Sequence, residues 1–362
     1  MTGKAGFENH FVVTGGAGFI GSHMVDFLLD HYPTGAITCL DKISYASDFL
    51  LRNLKQAQRT AIFKFEKIDL AGDLEAVKSV FKRRMGAESS SVTIFNFAAE
   101  SCVDRLFSDP VFFTRNNIMA TQNVLEAVRI LISEGSFCAD RISIIHVSTD
   151  EVYGEQDVGA VASENASLHP SNPYAASKAA CDLIVGAYVK SYHLPVTVVR
   201  ANNIYGPRQY PEKLIATTLD LLRLSKPETG IDVSRRIVLH GKGQHKRRYL
   251  HVLDFVRAVD LILSYAIKTG ESGEIYNIGT DEEWSNKDLV EMICQRYVNL
   301  VHGVDIRDFS MYYRYGQDRL YNDSRYSIDC SKVSSLGWKP EISVQDGVTE
   351  MIRVMAGSAG NK

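Results

Sequence analysis

The stretch VVTGGAGFIGS, Val12 to Ser22, sets Gly16, Gly18 and Gly21 between an apolar run and an amphipathic one. Ahead of it, HFVVTG reads as a buried strand. Behind it, GSHMVDFLLDHY has helical spacing, with Met24, Phe27 and Leu28 on one face. Glycines between a strand and a helix let the backbone turn tightly and approach a pyrophosphate at the helix N-terminus. The pattern is weak alone and informative only in this strand–turn–helix setting. The alternation continues. AITCLD, IFKFEKIDL, VTIFNFAAES, ISIIHVST and PVTVVRA read as strands. LEAVKSVFKRRM, MATQNVLEAVRILISEG (ending at Gly135) and PYAASKAACDLIVGAYVKSYH read as helices. Strands alternating with helices predict an α/β fold, a doubly wound parallel sheet covered on both faces.

Beyond Ala201 the rhythm breaks into longer loops with proline and basic clusters, YGPRQYPEK and HGKGQHKRRYLH. The expected organisation is a Rossmann-type nucleotide domain over 1–201, its sheet completed by part of 237–272. A smaller C-terminal substrate-binding region then comprises 202–236 and 273–352, and the tail 353–362 is expected to be disordered. Net charge is −3, from 40 Lys+Arg against 43 Asp+Glu, which argues against nucleic acid or an anionic membrane as partner. The six cysteines form no CxxC pair, so neither zinc nor a disulfide framework is indicated, and reduced thiols in a cytoplasmic protein are expected. No signal peptide or membrane-spanning run of about 18 apolar residues is expected.

Asp41 ends the second strand, at the distance where an acid accepts from adenosine ribose hydroxyls, and so favours NAD over NADP. Lys42 follows it and softens that preference. Asp69 either faces the adenine or closes a turn. Tyr174 and Lys178 form Tyr-x-x-x-Lys on one helix face, 25 residues after Thr149 at a strand end. An ammonium near a phenol is expected to lower its pKa, so that the phenolate can take a proton from a substrate hydroxyl. Thr149 is followed by Asp150 and Glu151. Adjacent carboxylates repel, so one can stay protonated as an acid while the other is ionised as a base.

Together these elements resemble the extended short-chain dehydrogenase/reductase superfamily. Within it the chain is most similar to nucleoside-diphosphate-glucose 4,6-dehydratases acting on dTDP-glucose or UDP-glucose. TGGAGFIGSH, LDKISYAS, VSTDEVYGE, NPYAASKAA, YGPRQYPEKLI, GEIYNIGT, DRLYNDSRYSID and LGWKP carry the resemblance, which spans about Phe11 to Trp338. It implies bound NAD contacted by Gly15, Gly18, Phe19, Ile20, Gly21, Asp41, Lys42, Asp69, Leu70, Phe97, Ala98, Ala99, Asn116, Tyr174 and Lys178. It implies a nucleotide-sugar pocket of Ser101, Thr149, Asn203, Lys213, Leu214, Arg247, Asn277, Arg319, Asn322 and Tyr326, with Arg247 on the diphosphate. Tyr174 would deprotonate the 4-hydroxyl, Glu151 the C5 position, and Asp150 would protonate the departing 6-hydroxyl. No metal is implied, and a homodimer through the segments Met119–Ser133 and Tyr174–Tyr192 is. There, Leu125, Val128, Leu131, Leu183, Ile184 and Ala187 fit either a partner or the sheet.

The chain departs from the family pattern at Asn96, where relatives carry histidine, at Cys102 and at Asn116. The loss of the family histidine beside Ser101, where Cys102 stands, is expected to alter the floor of the substrate site. Two other functions use parts of the same set. A 4-epimerase or decarboxylase would use Thr149, Tyr174 and Lys178 but leave the carboxyl pair idle. A non-catalytic nucleotide-sugar-binding protein would need none of the five.

Overall fold

The computed structural model describes residues 9–47, 51–85, 91–101, 109–226, 232–318 and 322–359. Strands β1 (Asn9–Thr14), β2 (Ala36–Asp41), β3 (Phe63–Lys67), β4 (Ser91–Asn96), β5 (Ile142–Thr149) and β6 (Val196–Ala201) alternate with α1 (Phe19–His31), α2 (Leu74–Met85), α3 (Pro110–Ser133) and α4 (Pro173–Tyr192). There follow β7 (Asn203–Tyr205), α5 (Leu214–Leu222), β8 (Ile237–His240), β9 (Lys246–His251), α6 (Val252–Thr269) and β10 (Ile275–Ile278). The chain continues through β11 (Glu283–Ser285), α7 (Asn286–His302), β12 (Tyr313–Gly316), α8 (Ser331–Ser335) and α9 (Val344–Ala359).

Seven strands form one sheet in the order β10-β6-β5-β4-β1-β2-β3, every pairing parallel. Side chains alternate across a strand, and the alternation builds two cores. Phe11, Val13, Phe95, Ile145 and Val199 pack against Met24, Leu28 and the α6 residues Phe255, Val259 and Ile262. Val12, Ile94, Ile144 and Val198 pack against Val77, Phe81, Val124, Val128 and Leu131. Both faces are covered, which is why the strands read as near-continuous apolar runs. Between β1 and β4 the strand order reverses, opening a crevice at the C-terminal ends.

A third core, from α5, α7 and α9, carries the small β11-β9-β7 and β12-β8 sheets beside that crevice. The main sheet departs from expectation at its edge. Its seventh strand is Ile275–Ile278, not a segment of 237–272. That range instead supplies α6, whose apolar face covers the sheet. The α3 helix begins nine residues before Met119 because Asp109 accepts the Phe112 N–H at 3.1 Å and Pro110 occupies the first turn. The tail expectation is also revised in part, since α9 runs to Ala359. Leu125, Val128 and Leu131 pack on the sheet, whereas Leu183 is 67% exposed. Among the described residues, no helix is long and apolar enough to cross a membrane, and no cluster of metal-ligating side chains occurs. Cys39, Cys138, Cys181, Cys294 and Cys330 are free thiols.

The glycine turn is closed by backbone contact. Gly15 sits at φ +63° and donates to Leu40 O at 2.7 Å, and Gly18 donates to Gly15 O at 3.1 Å. A Cβ on Gly21 would lie 2.4 Å from Gly15 O. Backbone at that distance has to move, so Gly21→Ala is expected to cost about 1–3 kcal/mol, read as a lowered midpoint in denaturant unfolding.

Candidate active site

One cavity of about 590 Å³ opens over the C-terminal ends of the sheet strands and runs from the glycine turn to the β9 and α5 side. Gly15, Gly18, Phe19, Ile20 and Gly21 line one end, together with Asp41, Lys42, Asp69, Leu70, Phe97, Ala98, Ala99 and Asn116. The residues fit a dinucleotide. Side chains at Gly15, Gly18 and Gly21 would press on neighbouring backbone and break the tight turn that a pyrophosphate needs, and the Asp41 carboxylate is aimed before any ligand arrives. Its oxygens accept the N–H groups of Ala17 at 3.1 Å and Ile43 at 2.7 Å. Asp69 is a turn residue at the cavity wall. It lines the cavity and accepts the Ala71 N–H at 3.0 Å.

Lys42 is held by Asn116 Oδ1 at 2.7 Å and Glu100 Oε1 at 2.9 Å. The unusual Asn116 is therefore the partner of Lys42. Glu100 was not anticipated; no spacing rule marks it, and only folding brings it beside Lys42. Asn96 does not line the cavity. Buried at the end of β4, it accepts from Thr14 Oγ1 at 2.7 Å and lies 3.1 Å from His146 Nδ1. Strand alternation sets it on the face it shares with Thr14 and His146. Cys102 and Arg319 lie outside the described residues.

At the centre, β5 ends at Thr149 and runs into a short 3-10 turn, Asp150–Tyr153. Thr149 Oγ1 accepts the Glu151 N–H at 3.3 Å and lies 3.2 Å from Asp150 Oδ1. Asp150 is 2% exposed, and its Oδ2 accepts from Asn202 at 2.8 Å. Burial, reinforced by the Glu151 charge, pushes its carboxyl up to about 7, against the hydrogen bonds of Asn202 and Thr149. Glu151 lines the cavity and accepts from Asn172 Nδ2 at 3.1 Å. Asn172 also caps α4, its Oδ1 taking the Ala175 N–H at 2.9 Å, so one amide starts the helix and aims the carboxylate. Asn172 and Asn202 were missed. An Asn-Pro pair before a helix signals the first as a cap, and no sequence signal marks the second.

Tyr174 and Lys178 stand on one face of α4 and both line the cavity. The expected lowering of the phenol pKa is not found. Burial, then Glu151 and Asp150, push Tyr174 upward, and Lys178 Nζ donates to the Val147 carbonyl at 2.6 Å. The phenol loses its water and faces two carboxyls, while the ammonium's short bond is to backbone.

The far end gathers Arg247, Asn322 and Tyr326. The guanidinium lies 4.7 Å over the Tyr326 ring and donates to Asn322 Oδ1 at 3.3 Å. Ser101, Asn203, Lys213 and Leu214 complete this wall, with Lys213 Nζ on the Ser101 carbonyl at 2.9 Å. The Asn203 Nδ2 is buried without a protein partner, a donor suited to a ligand oxygen. Asn277 is not brought there. It is buried in β10, accepting from the Tyr153 hydroxyl at 2.8 Å and donating to Ala162 O at 3.1 Å, because its strand forms the far edge of the main sheet.

The family model described as GDP-mannose 4,6 dehydratase matches residues 12–351. The dTDP-D-glucose 4,6-dehydratase of Dictyostelium discoideum is 35% identical, over 94% of this chain and 80% of its own. A trifunctional UDP-glucose 4,6-dehydratase of Arabidopsis thaliana is 36% identical, over 94% of this chain but 46% of its own length. The solved dTDP-glucose 4,6-dehydratase of Streptomyces venezuelae, with NAD bound, superposes with a TM-score of 0.81 at 33% identity, covering 97% of this chain and 98% of that one.

Asp150 carries a stability signature. Its folded-state pKa lies above the unfolded value, so below about pH 4 its contribution is fully present. That contribution is lost as pH rises through about 7, to an extent on the order of a few kcal/mol. Asp150→Asn is therefore expected to unfold at a higher temperature than the parent at pH 8. At pH 4.5 the difference should shrink or vanish, as two calorimetric scans would show.

Proposed function

We propose a role for each side chain of the cavity from one premise: the chain belongs to the nucleotide-sugar 4,6-dehydratase family of the extended short-chain dehydrogenase/reductase superfamily. The protein is an NAD-dependent hydro-lyase that converts nucleoside-diphosphate-glucose to the 4-keto-6-deoxy sugar nucleotide and water. The glycine turn and the residues around it would hold NAD, which when bound would supply hydride chemistry at sugar carbons 4 and 6. Asp41 receives the ribose hydroxyls.

Tyr174, which has to be ionised for the step although its surroundings favour the phenol, takes the 4-hydroxyl proton as that carbon is oxidised, with Thr149 orienting the same oxygen. The resulting ketone acidifies the C5 position, whose proton Glu151 removes. Asp150, protonated near neutral pH, gives its proton to the 6-oxygen as the C6–O bond breaks and water leaves. Glu151 returns its proton to C5 when C6 is reduced. The proton gained by Tyr174 offsets the one given by Asp150, so the cycle consumes and releases none. Arg247 and Asn203 hold the diphosphate, with Asn322 and Tyr326 behind the arginine, Ser101 meets the sugar, and Lys213 and Leu214 face the base.

The observation that carries this reading is the pair Asp150 and Glu151, one carboxyl pushed up to about 7 and the other held by Asn172, beside Thr149 and Tyr174. An epimerase has no use for it. Mass analysis with dTDP-glucose and UDP-glucose in parallel tests the reaction: loss of one water from either supports it, and C4 inversion without water loss overturns it. The base is read from the rate ratio, which a single methyl group limits to about 1–3 kcal/mol. Asp150→Asn and Glu151→Gln are expected to slow water loss about 10²- to 10⁴-fold while still oxidising C4, whereas Tyr174→Phe should stop C4 oxidation, followed as cofactor reduction.

A homodimer working in the cytoplasm completes the reading. The outer faces of α3 and α4 would meet their equivalents in a second copy, around the exposed Leu183 and Ala187. Light scattering should give twice 40.3 kDa, and Leu183→Glu should shift it to the single-chain mass.

A further inference from the structure

Asn202 follows β6 directly and is 3% exposed. Its Oδ1 accepts the Thr280 backbone N–H at 3.0 Å. A backbone N–H can only donate, so the amide cannot be turned round, and its NH2 end is the end that faces Asp150. That end donates to Asp150 Oδ2 at 2.8 Å. The neighbouring glycine makes room, since a Cβ on Gly279 would sit 2.0 Å from Asn202 Oδ1. Thr280 is itself tied by its hydroxyl to the Tyr249 carbonyl at 3.2 Å. The Ile278-Gly279-Thr280 segment after β10 thus forms a socket for one amide.

A protonated carboxyl has one good acceptor oxygen and one O–H. With a locked donor on Oδ2, the hydrogen belongs on Oδ1, which lies 3.2 Å from Thr149 Oγ1. We infer that Asn202 is a positioning residue that sets the tautomer of Asp150, holding the transferable proton on Oδ1 beside Thr149. The inference rests on the reading of Asp150 as the acid. In the transfer, the Oδ1–H bond breaks and the proton passes to the sugar 6-oxygen, which leaves with the C6–O electron pair as water. The carboxylate left behind keeps the Asn202 hydrogen bond and gains that of the Thr149 hydroxyl. The charged or titratable groups that face Asp150 are Glu151 on its own turn, Arg247 from β9 and Tyr174 from α4. None is altered by Asn202→Ala, so a moved pH profile in that variant reports on the amide, whereas Asn202→Asp adds a carboxyl beside Asp150 and is read from its rates alone.

The test compares Asn202→Ala and the near-isosteric Asn202→Asp with the parent and with Asp150→Asn, all loaded with NAD and given dTDP-glucose. Single-turnover cofactor reduction reads C4 oxidation, and product mass reads water loss. Both Asn202 variants are expected to oxidise C4 within about threefold of the parent and to lose water at least about tenfold more slowly. The Asn202 hydrogen bond favours ionised Asp150, so its removal should also move the alkaline limb of water loss to higher pH. Asn202→Asp keeps an acceptor for the Thr280 N–H, so a folding failure of Asn202→Ala leaves the question answerable. Water loss at the parental rate with an unmoved limb overturns the inference, as does an equal fall in both steps. Parental water loss by Asp150→Asn overturns the acid reading itself, whatever the Asn202 variants do.

Discussion

Two neighbouring carboxyl groups, one buried in the protein and one facing the cavity, cannot both be ionised cheaply, and the site is organised around that constraint. Asp150 is turned inward, where burial favours its neutral form, and Glu151 is turned toward the cavity. What separates them is the 3-10 turn at the end of β5, which sends consecutive side chains in different directions. The turn is secured from above and below. Thr149 takes the Glu151 N–H, Asn202 takes Asp150, and Asn172 takes Glu151. Because Asn172 is also the cap of α4, Glu151 and the helix bearing Tyr174 and Lys178 share one support.

Beneath the turn lies a buried polar cluster that makes the arrangement rigid. Arg200 on β6 donates to Asp182 on α4 and to the Tyr153 hydroxyl, each at 2.8 Å, and stacks 4.9 Å from the Tyr153 ring. Tyr153 in turn bonds Asn277 on β10. Strand, helix, turn and edge strand are thus joined at one point. A fully buried ion pair contributes little over an apolar substitute, but losing one partner strands the other and costs about 3–5 kcal/mol. That asymmetry suits a scaffold that has to hold two carboxyls in different states.

Several features were legible along the chain because they are local. Gly16-x-Gly18-x-x-Gly21 marks a backbone turn, and the backbone of α1 confirms it with contacts too close for side chains. Asp41 stands at a strand end, and Tyr174 and Lys178 are one helical turn apart, so their shared face follows from periodicity. The failures were non-local. Asn277 sits in a motif that resembles a pocket segment, yet its strand adds to the far edge of the sheet and buries it. The Tyr174–Lys178 spacing says nothing about the Val147 carbonyl that takes the lysine's proton bond.

The sequence by itself determined the fold class, the glycine turn of the dinucleotide end and the shared helix face of Tyr174 and Lys178, because strand and helix periods and short spacings act within one element or across one turn. Only the tertiary structure decided which carboxyl is buried and holds its proton, which amides aim the pair, and that Glu100 and Asn116 share Lys42. Those outcomes depend on desolvation and on hydrogen bonds between residues 52, 74 or 78 positions apart, and no local pattern encodes such distances.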